Sequence, residues 1–300
     1  TTEPGLRSMI ESVRGQTYEG WELCLADDAS RSPVVKRVVH EYMDQDERIK
    51  FFERPTRGHI AAASNSALSQ AFGEFIALLD HDDELHACAL ERVVQHLNAM
   101  PETDLVYTDE DKITERGKRC FPIFKPEWNR TLFMAYNVIN HLGVYRKSIV
   151  DRIGGFREGY EGSQDYDLAL RFIESTEDAR IAHIPQVLYH WRATRASVAK
   201  NPGTKDYAFV SARKAIQEHY ERGGRSVTVG DSAIAILHKV YLDYEEREHP
   251  VTLVVALNSV DDMDSRLAHI VENTGYRNYD VVVGATGMPH VEKTNRGIRV

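Results

Sequence analysis

Residues 73–85 read GEFIALLDHDDEL. Glu74 to Leu79 is a near-continuous apolar run of the length of one buried strand, and it opens directly onto Asp80, His81, Asp82 and Asp83. A strand that ends in carboxylates suits an α/β sheet, whose ligands gather beyond the carboxyl ends of its strands. Carboxylates at i and i+2 can both reach one hard divalent cation once the chain leaves strand geometry. Mg²⁺ or Mn²⁺ takes such oxygen ligands and often shares them with substrate phosphates. Three carboxylates in four residues repel one another, so a cationic partner is expected close by. The competing structural reading is a polar loop in which Asp82 or Asp83 caps the following helix.

Outward from this stretch, helix and strand patterns alternate. Leu6, Met9, Ile10 and Val13 fall at helical spacing, and Trp21 to Ala26 reads as a strand ending at Asp27 and Asp28. Val34 to Met43 predicts a second amphipathic helix, Ile49 to Phe52 a brief strand, and Ile60 to Phe72 an Ala-rich helix. Beyond the acidic loop come a helix over Ala87 to Leu97 and a strand over Asp104 to Thr108. This alternation predicts βαβ units and a mostly parallel sheet flanked by helices. Thr114 to Asn140, with Pro122, Pro126 and several aromatics, reads as a long, partly ordered, substrate-side segment. A helix then begins near Asp165, a strand covers Ile181 to Trp191, and the helix Tyr207 to Tyr220 stops at Gly223-Gly224.

The last fifty residues read as a new start. Val251 to Leu257 is a strong strand, a helix surrounds Leu267 to Val271, and Tyr276 onward repeats the order seen at Tyr18: tyrosine, two residues, aromatic, acid, strand. The expected organisation is a domain over 1–230, a linker over 231–250 and the beginning of a second, similar unit over 251–300.

Composition narrows the function. The 300 residues are 42% hydrophobic, enough for a sizeable core, and carry a formal net charge of −9, which argues against a general nucleic-acid binder. Cys24, Cys88 and Cys120 form neither a disulfide framework nor a CxxC zinc pattern. With no apolar run of membrane-spanning length and no apolar leader, the chain reads as soluble and cytoplasmic.

Other residues have two readings each. Asp27 and Asp28 can accept hydrogen bonds from a base or ribose, or can simply make a turn. In Gly162-Ser-Gln-Asp165-Tyr-Asp167, an acid near a helix start either caps it or serves as a general base, and the sequence does not choose between Asp165 and Asp167. His190 sits at a strand end in Leu-Tyr-His-Trp-Arg, where a lone histidine is more often structural than a ligand. Arg192 and Arg195 can approach a diphosphate or be ordinary surface charge.

Taken together, the ordered motifs resemble family 2 glycosyltransferases of the GT-A (Rossmann-like) fold, and more narrowly tandem-domain bacterial enzymes of O-antigen and rhamnose-containing polysaccharides. The stretches that carry the resemblance are IESVRGQTYEGWEL, ADDAS at 26–30, GHIAAASNSAL at 58–68, GEFIALLDHDDEL, VYTDEDK at 106–112, FKPEWN at 124–129, GGFREGYEGSQDYDLALR at 154–171 and VLYHWR at 187–192. They cover residues 6 to 220. The family's first strand, with its Pro-x-Tyr/Phe-Asn turn, has no counterpart before Thr1.

The resemblance implies an inverting transfer from a UDP- or dTDP-sugar to a hydroxyl of a growing glycan, with Mn²⁺ or Mg²⁺ as cofactor. It places Asp27, Asp28 and Asp80 at the nucleotide, Asp82 and His190 at the metal, and Asp165 as general base. Trp128, Asn140 and His141 would face the acceptor. It further implies a glycan or lipid-linked glycan acceptor at the inner face of the membrane, reached through membrane-bound assembly machinery. Two alternatives stand beside it: a sugar-1-phosphate nucleotidyltransferase, which needs a Gly-rich phosphate loop not visible here, and a non-catalytic sugar- or partner-binding module. In the second unit Ala285-Thr286 replaces the paired acids of the first, so nucleotide binding of that kind is not expected there.

Overall fold

The computed structural model describes residues 2–114, 117–193, 206–234, 236–242, 250–257, 263–276, 278–285 and 292–293. Two compact units result, residues 1–243 and 244–300.

The first unit opens with α1 (Glu3–Arg14), whose Thr2 Oγ1 accepts the Gly5 N–H at 3.3 Å, and which buries Leu6, Met9, Ile10 and Val13 on one face. Strand β1 (Leu23–Asp27), helix α2 (Val34–Met43) and β2 (Ile49–Glu53) form a βαβ unit whose two strands pair in parallel. Helix α3 (His59–Leu68) then leads to β3 (Phe75–Ala77).

After the acidic loop come β4 (Glu84–Leu85), α4 (Ala89–Ala99), β5 (Leu105–Thr114), β6 (Arg119–Ile123), α5 (Arg130–Ala135), β7 (Gly143–Arg146) and α6 (Lys147–Arg152). Next are α7 (Gln164–Ile173), the thirteen-residue β8 (Ile181–Ala193) and α8 (Asp206–Arg222). Strands β3, β7, β5, β8 and β4 lie in that order, with β6 against β5. The fold is α/β as expected, but this sheet is mixed: β5 and β8 run parallel, while β7 and β4 return antiparallel to their neighbours.

Two apolar layers sandwich the sheet, and the strand period explains them. On β5, Leu105 and Tyr107 face one core with α7 and α8, whereas Val106 faces the other with α1, α2 and α4. On β7, Tyr145 and Val144 divide in the same way.

The segment expected to be partly ordered is built from β6 and α5. Polar ties hold it: Arg119 Nε donates to Asp111 Oδ2 at 2.7 Å, the Lys125 N–H to Asp109 Oδ1 at 2.8 Å, and the Trp128 indole N–H to Asp178 Oδ1 at 2.8 Å. At the end of the expected domain lies β9 (Val227–Asp231), and within the stretch read as a linker lies its antiparallel partner β10 (His238–Leu242). In the second unit, β11 (Val251–Leu257), α9 (Met263–Asn273) and β12 (Tyr279–Ala285) form another parallel βαβ unit, with β13 (Glu292–Lys293) antiparallel to β12. Thr286 and Arg195 lie outside the described residues. Among the described residues no helix is long and apolar enough to cross a membrane.

Candidate active site

Residues 78–83 turn between β3 and β4, and strand β8 clasps this turn. Asp83 is buried at 1% exposure; its Oδ2 accepts the Tyr189 hydroxyl at 2.5 Å and its Oδ1 the Arg192 N–H at 2.7 Å. The Tyr189 hydroxyl also accepts the Asp80 N–H at 3.3 Å. Arg192 Nε donates to the Asp82 carbonyl at 2.7 Å, and its guanidinium pairs with Glu84. Arg192 is thus engaged in holding the loop. Burial pushes the Asp83 carboxyl up to about 7 against the pull of the Tyr189 and Arg192 hydrogen bonds. Helix capping does not explain these acids, since the residue before α4 is Cys88. What remains presented to solvent is Asp80, with a side chain 54% exposed, and Asp82, with 33%.

The first turn of α7 supplies the next acid. Gly162 holds φ +80°, and a Cβ there would lie 2.9 Å from Ala208 Cβ, so α8 can approach closely. Ser163 Oγ donates to the Ala208 carbonyl at 2.8 Å, which docks the start of α7 on α8. The structure separates the two acids that the sequence left undecided. Asp167 is 0% exposed; Arg157 Nη2 donates to its Oδ1 at 2.5 Å and Arg171 Nε to its Oδ2 at 3.0 Å. Asp165 is half-buried in the first turn of α7. Burial raises the Asp165 carboxyl, the nearby His141 charge opposes that rise, and Asp80 adds to it.

His141 is where these groups meet. Its Nε2 lies 3.9 Å from Asp80 Oδ2, and its ring stacks on Tyr189 with centroids 4.7 Å apart. Burial alone would lower its basicity, but the Glu110 hydrogen bond and the Asp80 and Asp165 charges outweigh it and raise it. Among the described residues, His141 is a basic group placed beside the crowded acids.

The remaining expected residues are placed as follows. Asp27 is buried and its Oδ2 accepts the Ser30 N–H at 3.0 Å, a local turn bond. Asp28 Oδ1 accepts Arg54 Nε at 3.0 Å and the Gly58 N–H at 2.8 Å. Trp128 packs edgewise on Tyr107 and against Phe133, and its indole is committed to Asp178. Asn140 keeps a buried Oδ1 without a hydrogen-bond partner beside His141. His190 pairs in register with Glu84, but its Nδ1 is taken by Asp111 Oδ1 at 2.6 Å.

Among the described residues no group of three or more His, Cys, Asp and Glu side chains is arranged to hold a metal. The partly exposed Asp82 carboxylate suits a hard cation that takes most of its oxygens from a diphosphate and water. His190, held by Asp111, is not gathered with it into such a group.

Three residues of this site escaped the sequence reading: Glu110, Lys125 and Tyr189. The available signal was the acidic triplet Asp109-Glu110-Asp111 in a strand whose residues are all buried up to Asp111.

The mixed α/β sheet with an acidic loop at one strand end resembles the GT-A fold. Residues 1–349 of the S. aureus protein TarS, solved with UDP-GlcNAc, align with TM-score 0.57 at 17% identity over 71% of this chain and 62% of that one. A Pyrobaculum calidifontis mannosyltransferase, solved with GDP-Man and Mn²⁺, aligns with TM-score 0.53 at 16% identity over 74% and 61%. Residues 2–154 match Glycosyl transferase family 2, and the chain belongs to that family. It is 42% identical to the uncharacterized protein y4gI of Sinorhizobium fredii over 98% of this chain, and 34% identical to the O-antigen biosynthesis protein RfbC of Myxococcus xanthus over 94%. The chain spans 34% and 22% of the length of these two relatives.

Proposed function

We propose that residues 1–230 form an inverting glycosyltransferase domain that moves a sugar from a UDP- or dTDP-sugar to a hydroxyl of a cell-surface glycan. The observation that carries this reading is the convergence of Asp80, from the β3–β4 loop, and Asp165, from α7, on His141. Asp165 takes the proton of the acceptor hydroxyl. That oxygen forms the new bond to the anomeric carbon from the face opposite the departing diphosphate, whose bond to the same carbon breaks. A raised carboxyl suits a base that must work near neutral pH. Asp27 and Asp28 line the nucleotide side with Asp80, and Asn140 and His141 face the acceptor. Asp82 would hold Mn²⁺ or Mg²⁺, which when bound offsets charge on the leaving diphosphate. His190, whose Nδ1 bond to Asp111 leaves Nε2 available, would join Asp82 at the metal, and Trp128 would stand on the acceptor side.

Family membership speaks against a nucleotidyltransferase, and the RfbC relative, an O-antigen biosynthesis protein, supports a role in polysaccharide synthesis. A glycan or lipid-linked acceptor, a cytoplasmic location and membrane-bound partners belong to the proposal alone. Residues 231–250 would link this domain to a second unit beginning at 251. Calorimetric titration of UDP and dTDP, with and without Mn²⁺, on the wild type and on Asp82→Ala tests the donor site. Binding that needs both the metal and Asp82 is expected. A folded protein that binds sugar yet shows no nucleotide binding and no donor turnover would replace this reading with a non-catalytic module.

A further inference from the structure

Beneath His141 lies a buried charged pair that the proposed chemistry does not use. Glu110, on β5, has a side chain 5% exposed, and Lys125, just after β6, one 2% exposed. Burying both an acid and a base is unfavourable unless each finds partners. Their partner is the backbone of one residue. Glu110 Oε2 accepts the His141 N–H at 2.6 Å, and Lys125 Nζ donates to the His141 carbonyl at 2.7 Å. The two side chains close on each other at 3.9 Å, and Glu110 Oε2 also lies 3.4 Å from His141 Nδ1. Above, Tyr189 stacks on the imidazole and, through its hydroxyl, holds Asp83 and the Asp80 N–H. Glu110 and Tyr189 are register partners on β5 and β8, so one face of one parallel strand pair supplies both sides of the seat.

We infer that Glu110 and Lys125 are positioning residues: they grip His141 by its N–H and carbonyl and so fix the imidazole against Asp80 and toward Asp165. This deepens the transferase reading and rests on it. It differs from a stabilising ion pair because the grip is on His141 rather than only between the two charges. A shift of the imidazole would move a basic group that both acids act on, and misplacing a reacting group by about 1 Å typically loses about 100-fold in rate.

The test compares Glu110→Gln, Glu110→Ala and Lys125→Met with wild type in the full-length protein. Three readouts are taken: donor turnover, UDP affinity, and the nitrogen NMR signals of the His141 imidazole, assigned by their loss in His141→Gln. Glu110→Gln keeps an acceptor for the His141 N–H and loses the charge, so its loss should lie between wild type and Glu110→Ala. For Glu110→Ala, kcat is expected to fall about 100-fold with UDP affinity within about twofold, and the His141 signals to shift. Lys125→Met should move the same signals. Unchanged imidazole signals in a folded Glu110→Ala protein overturn the inference whatever the turnover. So does a parallel loss of turnover, UDP affinity and thermal stability, which marks a purely structural pair. A wild type without donor turnover, combined with shifted signals in the variants, sinks the transferase reading and keeps the seat for His141.

Discussion

Two acids two residues apart in α7 should respond oppositely to the same substitution. Asp167 is 0% exposed between Arg171, itself 7% exposed, and Arg157, at 35%. Replacing it with Asn leaves one carbonyl oxygen for two guanidinium groups and turns an amide toward them. Removing one partner of a buried ion pair costs about 3–5 kcal/mol, and the partial exposure of Arg157 puts this site near the lower end. For a domain of this size, about 3 kcal/mol lowers Tm by roughly 6–12 °C. Asp165→Asn is the counterpart. The folded Asp165 carboxyl titrates above the 3.8 of a free one, so its ionisation weakens the fold as pH rises past that value. The neutral amide removes this penalty, so at pH 7 the variant should melt no lower than wild type, with any gain vanishing below pH 3.8. It should also lose transfer. Calorimetric scans of both variants at neutral and acid pH, with a donor-turnover assay, decide the matter. An Asp165→Asn protein as unstable as Asp167→Asn, or an Asp167→Asn protein melting with wild type, would refute the division of roles.

Gly162→Ala combines a backbone at φ +80° with a Cβ 2.9 Å from Ala208, so it should cost about 1–2 kcal/mol and reduce turnover more than UDP affinity, read by melting and by a kcat-against-KM comparison. For Glu174, burial alone would raise the carboxyl, yet the His219 and Arg222 hydrogen bonds outweigh it and hold it down to about 2. Its stabilisation is complete above about pH 4.5 and is lost as pH falls toward 2, so Glu174→Gln should flatten the acid limb of the stability curve between those values, measured by urea midpoints.

The acidic loop was legible because its signal is local: an apolar strand followed at once by carboxylates. The helices were legible for the same reason, and α2 begins and ends where its apolar period predicts. What was not legible depends on partners distant in sequence. Asp167 could be told from Asp165 only through Arg157 and Arg171, and Glu110 only through a residue thirty-one positions away. Strand β4 has two residues and β7 four, too few to show a period before β8 and β5 pair with them. Residues 117–140 lack periodicity yet form β6 and α5, because their ties run to Asp109, Asp111 and Asp178.

Strands β1 and β2 pair with each other alone among the described residues, whereas β8 lies between β5 and β4. Amide hydrogen exchange should therefore be graded. Within β8, the amides of Tyr189 and His190, which have β5 on one side and β4 on the other, should be among the last to exchange. Asp27 ends β1; Tyr189 and Arg192 belong to β8. The seat of His141 would then be among the last parts of the domain to soften as the protein is warmed.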